Sequence, residues 1–370
     1  MNNLKVALIH DHLAQDGGAE KVLQVFIEMF PNAPIYTLLY DKKNIEKNYK
    51  NSQIRASIIQ KMPFSIKHYK WYMPFMPIAI EFFDLNKFDL VLSSTSSFAK
   101  GVITSPECLH ICYCHTPTRY LWSDTHQYIK ELRYNKYLKK IISLILNYVR
   151  IWDKLAADRV DKFITNSKTS QKRITKYYKR KSKIIYPSIE EEKFYVSEKI
   201  DDYFLVGSRL VPYKRIDNVI LAFKELKLKL KIFGDGIDLD RLKEIADGAN
   251  NIEFLGRVSD EKRAELYSKC KAYINPQKED FGITIVEAMA SGRPVIALRK
   301  GGATETIIDN KTGVFFNTES PASIIEAIKK FNNQKFNSQE IRTYAMQFSK
   351  KHFKENIKNF IKEEYAKFNN

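Results

Sequence analysis

The sequence predicts an α/β protein with two Rossmann-like domains, each built on a doubly wound parallel sheet. The chain has 370 residues, which is long for a single hydrophobic core. Short apolar runs alternate with helically spaced apolar patterns, as in domains where helices connect buried parallel strands. A polar stretch at 188–202 interrupts this alternation, which then starts again. Because ligands of such sheets bind at the carboxyl ends of the strands, we expect the two domains to face a cleft that holds the functional site.

The first half of the chain carries five predicted strands. The first strand ends before a polar loop with Gly17 and Gly18, and apolar residues then recur at helical spacing over 19–30. A basic helix is predicted near 167–179. The strands are predicted at 5–10, 89–93, 111–115, 163–166 and 183–186.

The second half repeats the pattern more regularly. Each predicted strand is followed by a predicted helix, and the last of these helices is short and comes after Gly301 and Gly302. The strands are predicted at 204–207, 230–233, 252–255, 272–275 and 294–298, and the longer helices at 216–225, 239–246, 260–269 and 283–290.

Two segments of the first half do not follow this pattern. Residues 55–83 mix lysines and prolines with large aromatic side chains, and residues 129–155 form a basic amphipathic helix, or two such helices. Either segment can pack against the core. If they are exposed, their aromatic residues would lie at the level of lipid headgroups and their basic residues on anionic lipid.

The net charge of +18 is unevenly distributed. Residues 1–186 contain 30 basic and 15 acidic residues, residues 187–345 contain 25 of each, and residues 346–370 contain 6 and 3. The excess therefore belongs to the first half and the tail. It indicates an anionic partner, which can be a membrane surface, a nucleic acid or a phosphorylated acceptor. No RNA- or DNA-reading motif is visible, so we expect no nucleic-acid partner.

Neither the cysteines nor the apolar runs indicate an exported or membrane-spanning protein. The four cysteines lie on apolar segments without metal-ligand spacing, which predicts reduced core residues in a cytoplasmic protein. The apolar run at 5–10 is too short for a signal peptide, and none reaches the roughly 18 residues of a spanning helix.

Two cations follow the first strand of the second half. Gly207 ends that strand and permits a tight turn, after which come Arg209 and Lys214. A guanidinium offers a planar fork and an ammonium a point charge, and both suit a diphosphate. Taken alone, the segment can be an ordinary basic surface loop.

Two carboxylates flank the start of the predicted helix at 283–290. Glu279 precedes Gly282, and Glu287 lies in the second turn of the helix. Carboxylates at such an edge accept hydrogen bonds from the hydroxyls of a sugar. As single acids, either can also be a solvent-facing residue. No further acidic cluster accompanies them, so a magnesium site is not expected.

Three other features are candidates of lower specificity. The pairs Gly17-Gly18 and Gly301-Gly302 each precede a helix, where free amides favour phosphate, although either can be a simple turn. His115 follows the predicted strand at 111–115 and can be a structural residue or part of a site.

In this order, these residues resemble the retaining family 4 glycosyltransferases of GT-B fold. One further segment is similar to the bacterial mannosyltransferases that build O-antigen. This segment is Cys114-His115-Thr-Pro-Thr-Arg119-Tyr-Leu-Trp122. The segments that carry the family resemblance are Gly207-Ser-Arg209-Leu-Val-Pro-Tyr-Lys214, Phe233-Gly-Asp-Gly236, Phe254-Leu-Gly-Arg257, Pro276, Glu279-Asp-Phe-Gly282, Glu287-Ala-Met-Ala-Ser-Gly-Arg-Pro294, and Gly301-Gly302 with Glu305.

The resemblance implies that the second domain, 187–345, binds a nucleotide-sugar. Arg209 and Lys214 would neutralise the leaving diphosphate, Glu279 would lie by the hydroxyls of the donor sugar, and Glu287 would hold the ribose. Arg209, Lys214, Glu279 and His115 are thus the implied catalytic residues. The other donor-binding residues implied for this domain are Ser208, Gly256, Arg257, Val258, Phe281, Gly282 and Ile283.

The resemblance also implies that the first domain, 1–186, binds the acceptor and is completed by a final helix within 346–370. Gly17 and Gly18 would approach the diphosphate from this domain, and His115 would lie under the reacting sugar. His12 and Arg119 are the implied acceptor-binding residues.

The predicted function is transfer of a hexose with retention of configuration. The expected donor is GDP-mannose, and the expected acceptor is a lipid-linked saccharide in the assembly of a bacterial surface polysaccharide. The protein is expected in the cytoplasm, peripherally bound to the anionic inner face of the membrane, without a cofactor or an active-site metal.

Four alternatives stay open. The donor can be a UDP-sugar, or the protein can be a nucleotide-sugar epimerase of the same fold. It can also be a non-enzymatic binder of anionic surfaces or nucleic acid. An inverting enzyme would instead require a base, for which Asp11 and Asp16 are conceivable.

Overall fold

The computed structural model describes residues 4–14, 17–132 and 134–370. The chain forms two compact units, the first from residues 1–186 with 354–370 and the second from residues 187–353. The chain thus rejoins the first unit at 354, within the last helix. Each unit contains one parallel sheet with helices between its strands.

The first unit contains a seven-stranded parallel sheet. Its central strands are buried along their whole length, which is why they appear in the sequence as continuous apolar runs. The strands are β1 Val6–His10, β2 Ile35–Thr37, β3 Ile54–Ala56, β4 Leu90–Thr95, β5 Leu109–Cys114, β6 Lys162–Thr165 and β7 Ser182–Ile184. They lie in the order β3-β2-β1-β4-β5-β6-β7.

Several helices of this unit pack onto the sheet or onto one another. Asn135 begins the longest of them by accepting hydrogen bonds from two backbone amides of the first turn. The helices are α1 Gly18–Met29, α2 Lys42–Asn48, α3 Met76–Glu81, α4 Thr125–Glu131, α5 Lys136–Asp158 and α6 Lys168–Arg173. The final helix, α14 Lys350–Phe368, belongs to this unit from 354 onwards, where Lys354 pairs with Glu28 at 2.6 Å.

The second unit contains a six-stranded parallel sheet. Its strands are β8 Phe204–Gly207, β9 Leu230–Phe233, β10 Ile252–Gly256, β11 Tyr273–Asn275, β12 Val295–Leu298 and β13 Gly313–Phe316, in the order β10-β9-β8-β11-β12-β13. Its helices are α7 Ile216–Leu226, α8 Leu239–Ala246, α9 Asp260–Lys269, α10 Ile283–Ala290, α11 Ala303–Thr306, α12 Pro321–Asn332 and α13 Ser338–Ala345.

Each sheet has a point at which its strand order reverses. The chain moves outwards from β1 through β2 to β3 and then returns to β4, so β1 and β4 flank the reversal in the first unit. In the second unit, β8 and β11 flank it. The carboxyl ends of these strands are the preferred ligand positions of such sheets.

The predicted two-domain α/β fold is confirmed, and six of its strands and helices were not foreseen. Strands β2 and β3, with the short helix α2 between them, were missed in the first unit. In the second unit, β13 and the helices after it, α12 and α13, were missed. The segment 129–155 forms two helices, α4 and α5, as one of the two alternatives predicted.

The segment 55–83 forms short 3-10 helices, Ile58–Lys61 and Tyr69–Phe75, that lead into α3. Its inner side and the inner side of α5 share one apolar core. Glu81 joins the two, because its carboxylate accepts a 2.7 Å hydrogen bond from the indole of Trp152 and pairs with Arg159 at 2.6 Å. Core packing was therefore a correct expectation for one side of each segment.

The outer sides of the same elements expose large apolar residues. We call the first group the aromatic ridge; it consists of Ile58, Met62, Phe64, Ile66, Trp71, Phe75, Ile78 and Phe82. We call the second group the α5 stripe; it consists of Tyr137, Ile141, Leu144, Tyr148, Ile151 and Leu155. The stripe recurs every three or four residues, so it occupies one side of the helix.

All four cysteines are buried and unpaired, as predicted for core residues. Burial raises the pKa of the Cys108, Cys112 and Cys270 thiols to about 12, so they stay protonated and unreactive. Within the described residues, no helix is both long enough and apolar enough to pass through a bilayer.

Candidate functional site

The loop after β8 is held by the loop after β9. The backbone amide of Leu210 donates a 2.8 Å hydrogen bond to the carbonyl of Asp235. A Cβ atom at Gly234 would lie 1.8 Å from the carbonyl oxygen of Ser208, and one at Gly236 would lie 2.1 Å from that of Leu210. Only glycine permits this approach, so the Gly-Asp-Gly sequence fixes the backbone that presents Arg209 to solvent.

Lys214 and Glu279 meet at the reversal point of the second sheet. The loop after β8 carries Lys214 and the loop after β11 carries Glu279, and the ammonium contacts the carboxylate directly. The amide of Gln277 donates a 2.8 Å hydrogen bond to the same Oε1 atom. The lysine side chain is 12% exposed and the carboxylate 25%, so the pair remains accessible to a ligand.

The backbone around Glu279 is clasped by Gly301 and Gly302. The amide of Gly302 donates a 2.9 Å hydrogen bond to the Glu279 carbonyl, so the expectation of a free amide at this glycine is wrong. A Cβ atom at Gly302 would lie 2.1 Å from the carbonyl oxygen of Phe281. The glycine pair therefore positions the predicted site rather than offering its amide to a ligand.

Gly282 connects this loop to α10. Its φ of 87° lies in the left-handed region, which favours glycine and lets the helix begin immediately afterwards at Ile283. The ring of Phe281 packs edge-to-face against Phe348, with centroids 5.7 Å apart. The amino end of α10 is thereby fixed beside Glu279, where the helix dipole favours an anion.

Glu287 lies on α10 and is only 3% exposed. Its carboxylate lies 3.7 Å from Nε of Arg263 on α9. Burial alone would lower the pKa of Arg263, but the Glu287 carboxylate and other anionic neighbours raise it above its ordinary value. The arginine thus stays charged beside the Glu287 carboxylate.

The remaining predicted donor residues occupy the same edge of the sheet. Gly256 ends β10 with a φ of 67°, and its carbonyl accepts a 2.8 Å hydrogen bond from Gly234. Arg257 is exposed and Val258 is half-buried. Ser208 donates its hydroxyl to the neighbouring carbonyl of Arg209 at 3.2 Å.

In the first unit, Gly17 and Gly18 precede and begin α1. The amide of Gly17 donates a 3.0 Å hydrogen bond to the carboxylate of Glu20, so the expectation of a free amide is wrong for this residue. Glu20 is buried and lies 3.7 Å from Nε2 of His10. This contact ties the start of α1 to the carboxyl end of β1.

His115 follows β5 and is almost completely buried. Its Nε2 atom lies 2.9 Å from the Ser94 hydroxyl, and its carbonyl accepts a 2.7 Å hydrogen bond from Ser170. Burial lowers the pKa of its imidazole from 6.5 to about 4, with a further lowering from nearby His10. The ring is therefore neutral at physiological pH and can take part in hydrogen bonds without carrying a charge.

Asp11 follows β1 and lies at the reversal point of the first sheet, where it is hydrogen-bonded to the residues at the end of β4. Its carboxylate accepts hydrogen bonds of 2.7 to 2.8 Å from Thr95, Ser96, Phe98 and Ala99. Burial would raise its pKa, but His10 and these donors lower it below the ordinary value. A carboxylate used in this way is a poor base. Asp16, the other conceivable base, lies outside the described residues.

His12 and Arg119 line one cavity of about 350 Å³ in the first unit. The Nδ1 atom of His12 is buried without a hydrogen-bond partner in the part of the chain that the structure describes, and burial lowers the pKa of this ring. Arg119 donates a 2.7 Å hydrogen bond to Asp124. The other lining residues are Asp11, Leu38, Leu39, Tyr69, Lys70, Met73, Met76, Ser96, Ser97, Phe98, Thr116, Tyr120 and Tyr128.

Sequence reasoning missed Gln277 and Arg263, the partners of the two predicted carboxylates. Gln277 lies two positions before Glu279, so its proximity was available as a signal, but amides in a loop are common. Arg263 lies on a helix with many charges and without a motif. No local pattern distinguishes it from its neighbours.

Comparison with known proteins places these features in a family. The model of Glycosyltransferase Family 4 matches residues 17–193, and that of Glycosyl transferases group 1 matches residues 187–352. Together the two matches cover both units of the chain.

Individual relatives are similar at modest identity. An uncharacterized glycosyltransferase of Methanocaldococcus jannaschii is 30% identical over 55% of this chain and 58% of that protein. An alpha-1,3/1,6-mannosyltransferase of Dictyostelium discoideum is 25% identical over 97% of this chain and 98% of its own length. A GDP-mannose-dependent alpha-(1-6)-phosphatidylinositol monomannoside mannosyltransferase of Mycobacterium tuberculosis is 31% identical over 33% of this chain and 36% of its length.

Among solved structures, the Anabaena protein HepE in complex with UDP superposes with a TM-score of 0.71. It is 19% identical, and the match covers 97% of this chain and all of HepE, so this similarity concerns the fold. Both matched models describe glycosyltransferases and the fold is shared, so the chain is a glycosyltransferase of GT-B fold whose first half matches the family 4 model.

Proposed function

We propose that this glycosyltransferase moves mannose from GDP-mannose to a lipid-linked saccharide, with retention of configuration. We further propose that it works at the cytoplasmic face of an anionic membrane, in the assembly of a bacterial surface polysaccharide. The second unit would bind the donor and the first unit the acceptor.

The observation that carries this proposal is the contact of Lys214 with Glu279, beside the exposed Arg209. Two cations and one carboxylate lie at the carboxyl edge of a parallel sheet, next to the amino end of α10. Cations and helix amides suit the phosphates of the donor, and the carboxylate suits the hydroxyls of its sugar. Buried Glu287, held by Arg263, suits the ribose.

The chemistry follows from where charge develops. The bond between the anomeric carbon and the diphosphate oxygen breaks, which leaves positive charge on the sugar and negative charge on the diphosphate. Arg209 and Lys214 would stabilise the latter, which is the largest electrostatic contribution that these residues can make. The acceptor oxygen bonds to the anomeric carbon on the same face, and its proton passes to the leaving diphosphate oxygen.

This scheme uses neither a protein base nor a metal. Neutral His115 would position the sugar, and Asp11 would stay engaged with its backbone and side-chain donors. We propose that Arg209 and Lys214 supply the charge neutralisation for which many phosphate-transferring enzymes use a metal ion.

The proposed donor is inferred from the names of the relatives. Those of Dictyostelium and Mycobacterium are named as mannosyltransferases, and the latter as GDP-mannose-dependent. A UDP-sugar is the second candidate, because the similar Anabaena fold was solved with UDP.

The membrane proposal is supported by the aromatic ridge and the α5 stripe. Both lie in the first unit, where the excess of basic residues also lies. Exposed aromatic and aliphatic residues beside lysines are typical of interfacial binding to anionic lipid.

A donor panel tests the proposal. The purified full chain is incubated with GDP-mannose, GDP-glucose, UDP-glucose and UDP-N-acetylglucosamine, with and without a prenyl-diphosphate saccharide, in buffer containing EDTA. We expect acceptor-dependent release of GDP from GDP-mannose. Conversion of the donor sugar without acceptor would instead indicate an epimerase, and absence of turnover with every donor would contradict the proposal.

A further inference from the structure

The cavity that contains His12 and Arg119 has both polar and apolar lining. Asp11, His12 and Ser96 form a polar end at the carboxyl ends of β1 and β4. Apolar side chains, among which are Met73 and Met76, form an apolar wall of the same cavity. Because an apolar wall is stabilised by covering it with hydrocarbon, it indicates a ligand that carries hydrocarbon beside its polar groups.

Two cations border the same cavity. Lys70 is exposed, and Arg119 is 47% exposed with Asp124 as its partner. The cavity thus joins an apolar wall to two cationic side chains, which together suit a phosphate attached to a hydrocarbon chain. The volume of about 350 Å³ suits one chain rather than two.

The apolar wall is the inner side of the aromatic ridge. The 3-10 helix Tyr69–Phe75 contributes Tyr69, Lys70 and Met73 to the cavity. The same helix exposes Trp71 (62%) and Phe75 (58%) on its outer side. One short helix therefore separates the cavity from the surface that we propose to contact the membrane, so a lipid has a short path between them.

We propose that this cavity binds the prenyl-phosphate portion of the acceptor. The hydrocarbon next to the phosphate would lie against Met73 and Met76, and the phosphate would lie by Lys70 and Arg119. The polar end by His12 would then receive the first sugar. This inference rests on the proposed function, since it names the part of the lipid-linked acceptor that the first unit recognises.

Calorimetric titration of the full chain with farnesyl phosphate tests the inference. Farnesol, inorganic phosphate and dioctanoyl phosphatidic acid serve as comparison ligands, each below its aggregation limit. We expect farnesyl phosphate to bind at least about tenfold more tightly than any of the three. Equal or tighter binding of farnesol or inorganic phosphate would overturn the proposal, and preference for phosphatidic acid would indicate a two-chain lipid instead.

Variants locate the site. Met73→Glu places a carboxylate in the apolar wall and should weaken the binding of farnesyl phosphate by about tenfold or more. Phe75→Glu, on the outer side of the same helix, should bind farnesyl phosphate as tightly as the wild type does. Lys70→Gln lies on the surface and cannot disturb the core, so it provides a test even if Met73→Glu unfolds. This variant should bind farnesyl phosphate more weakly and bind farnesol with unchanged affinity.

The outcome is separable from that of the donor panel. If farnesyl phosphate binding is insensitive to both Met73→Glu and Lys70→Gln while GDP-mannose is still turned over, this inference fails and the proposed function stands. If farnesyl phosphate binds as expected but no nucleotide-sugar is turned over, the lipid site stands and the proposed function fails.

Discussion

Lys214 contacts an anionic residue of the protein, and we propose that it also binds the anionic ligand. In the structure its ammonium contacts Glu279, whose carboxylate also accepts a hydrogen bond from Gln277. The carboxylate therefore holds the lysine at the edge of the sheet before a ligand arrives. A diphosphate placed there would attract the ammonium, while the carboxylate would remain available to the sugar hydroxyls.

The first prediction concerns this lysine. Lys214→Ala removes a fixed positive charge next to the leaving diphosphate and leaves Glu279 to repel it. We expect kcat for sugar transfer to fall by about 10²–10³, the loss typical of removing one electrostatic stabiliser. Arg215→Ala is the matched control, since the adjacent arginine pairs with Asp217 and Glu319 at the surface. Equal rates for the two variants would contradict the assignment.

The second prediction concerns the buried histidines of the first unit. Burial lowers the pKa of His115 to about 4 and that of His110 to about 3, from 6.5 in the unfolded chain. Below 6.5 the unfolded state binds more protons than the folded state, so stability is complete above this pH and is lost as the pH falls towards 4. Each pKa unit corresponds to about 1.4 kcal/mol per group.

Urea unfolding between pH 7.5 and 4.5 measures this effect. We expect the midpoint to fall with acidification and His115→Gln to reduce the slope, because glutamine can still bond to Ser94 but does not titrate. A pH dependence that is the same in the variant would show that His115 titrates normally.

The loop 279–282 is positioned by glycines that lie elsewhere in the sequence. Gly302 approaches Phe281 so closely that any side chain would displace the loop. The start of α10 depends on the same loop through Gly282. The geometry of Glu279 is therefore a property of two packed segments rather than of its own motif.

The third prediction follows from this packing. Gly302→Ala puts a methyl group 2.1 Å from the Phe281 carbonyl oxygen, so we expect a loss of about 1–3 kcal/mol in stability together with weaker donor binding. Gly18→Ala is the control for stability, since a Cβ atom there meets nothing within 4 Å. Thermal unfolding with and without GDP-mannose measures both effects. An unchanged response of Gly302→Ala to the donor would contradict the positioning role.

Most strands of both sheets were predictable from their apolar runs, including β7 and β11, which have three residues each. β2 and β3 are equally short but were not predicted, so strand length alone does not explain the difference. β13 begins at Gly313, close to the sheet partner Val295, and its apolar run was not assigned to a strand. The missed elements lie at the outer positions of the sheets, in β3, β2 and β13, where fewer neighbours constrain the sequence.

The candidate site was predictable in its members but not in its contacts. The sequence placed Arg209, Lys214, Glu279 and Glu287 after strands that end at one edge. It could not show that Lys214 contacts Glu279, or that Gly17 and Gly302 use their amides internally, because these contacts depend on loop conformations. The aromatic ridge and the α5 stripe were predictable as segments, whereas their exposure required the packed structure.

The whole chain distributes its charge and its exposed apolar residues unequally. The first unit carries the aromatic ridge and the α5 stripe, while the second unit is balanced in charge over 187–345. This asymmetry fits a division in which one unit meets a lipid-linked acceptor and the other a soluble nucleotide-sugar.

The fourth prediction concerns membrane binding. We expect the chain to float with anionic vesicles and to do so less in high salt, because lysine contacts with lipid headgroups are screened. Replacing Leu144 and Ile151 together by glutamate should lower the vesicle partition coefficient at least about tenfold, which corresponds to about 1.4 kcal/mol. Leu221→Glu, at an exposed leucine of the second unit, is the control. Equal flotation with neutral and anionic vesicles would contradict the role of charge.

The stereochemistry of the product is the most direct test of retaining mannosyl transfer. The full chain is incubated with GDP-mannose and a prenyl-diphosphate saccharide, and the anomeric configuration of the transferred sugar is determined by NMR. We predict a mannosylated lipid whose new linkage has the configuration of the donor, formed by the wild type and lost in Lys214→Ala. A product of inverted configuration, or no mannosylated lipid under conditions in which the donor binds, would contradict this prediction.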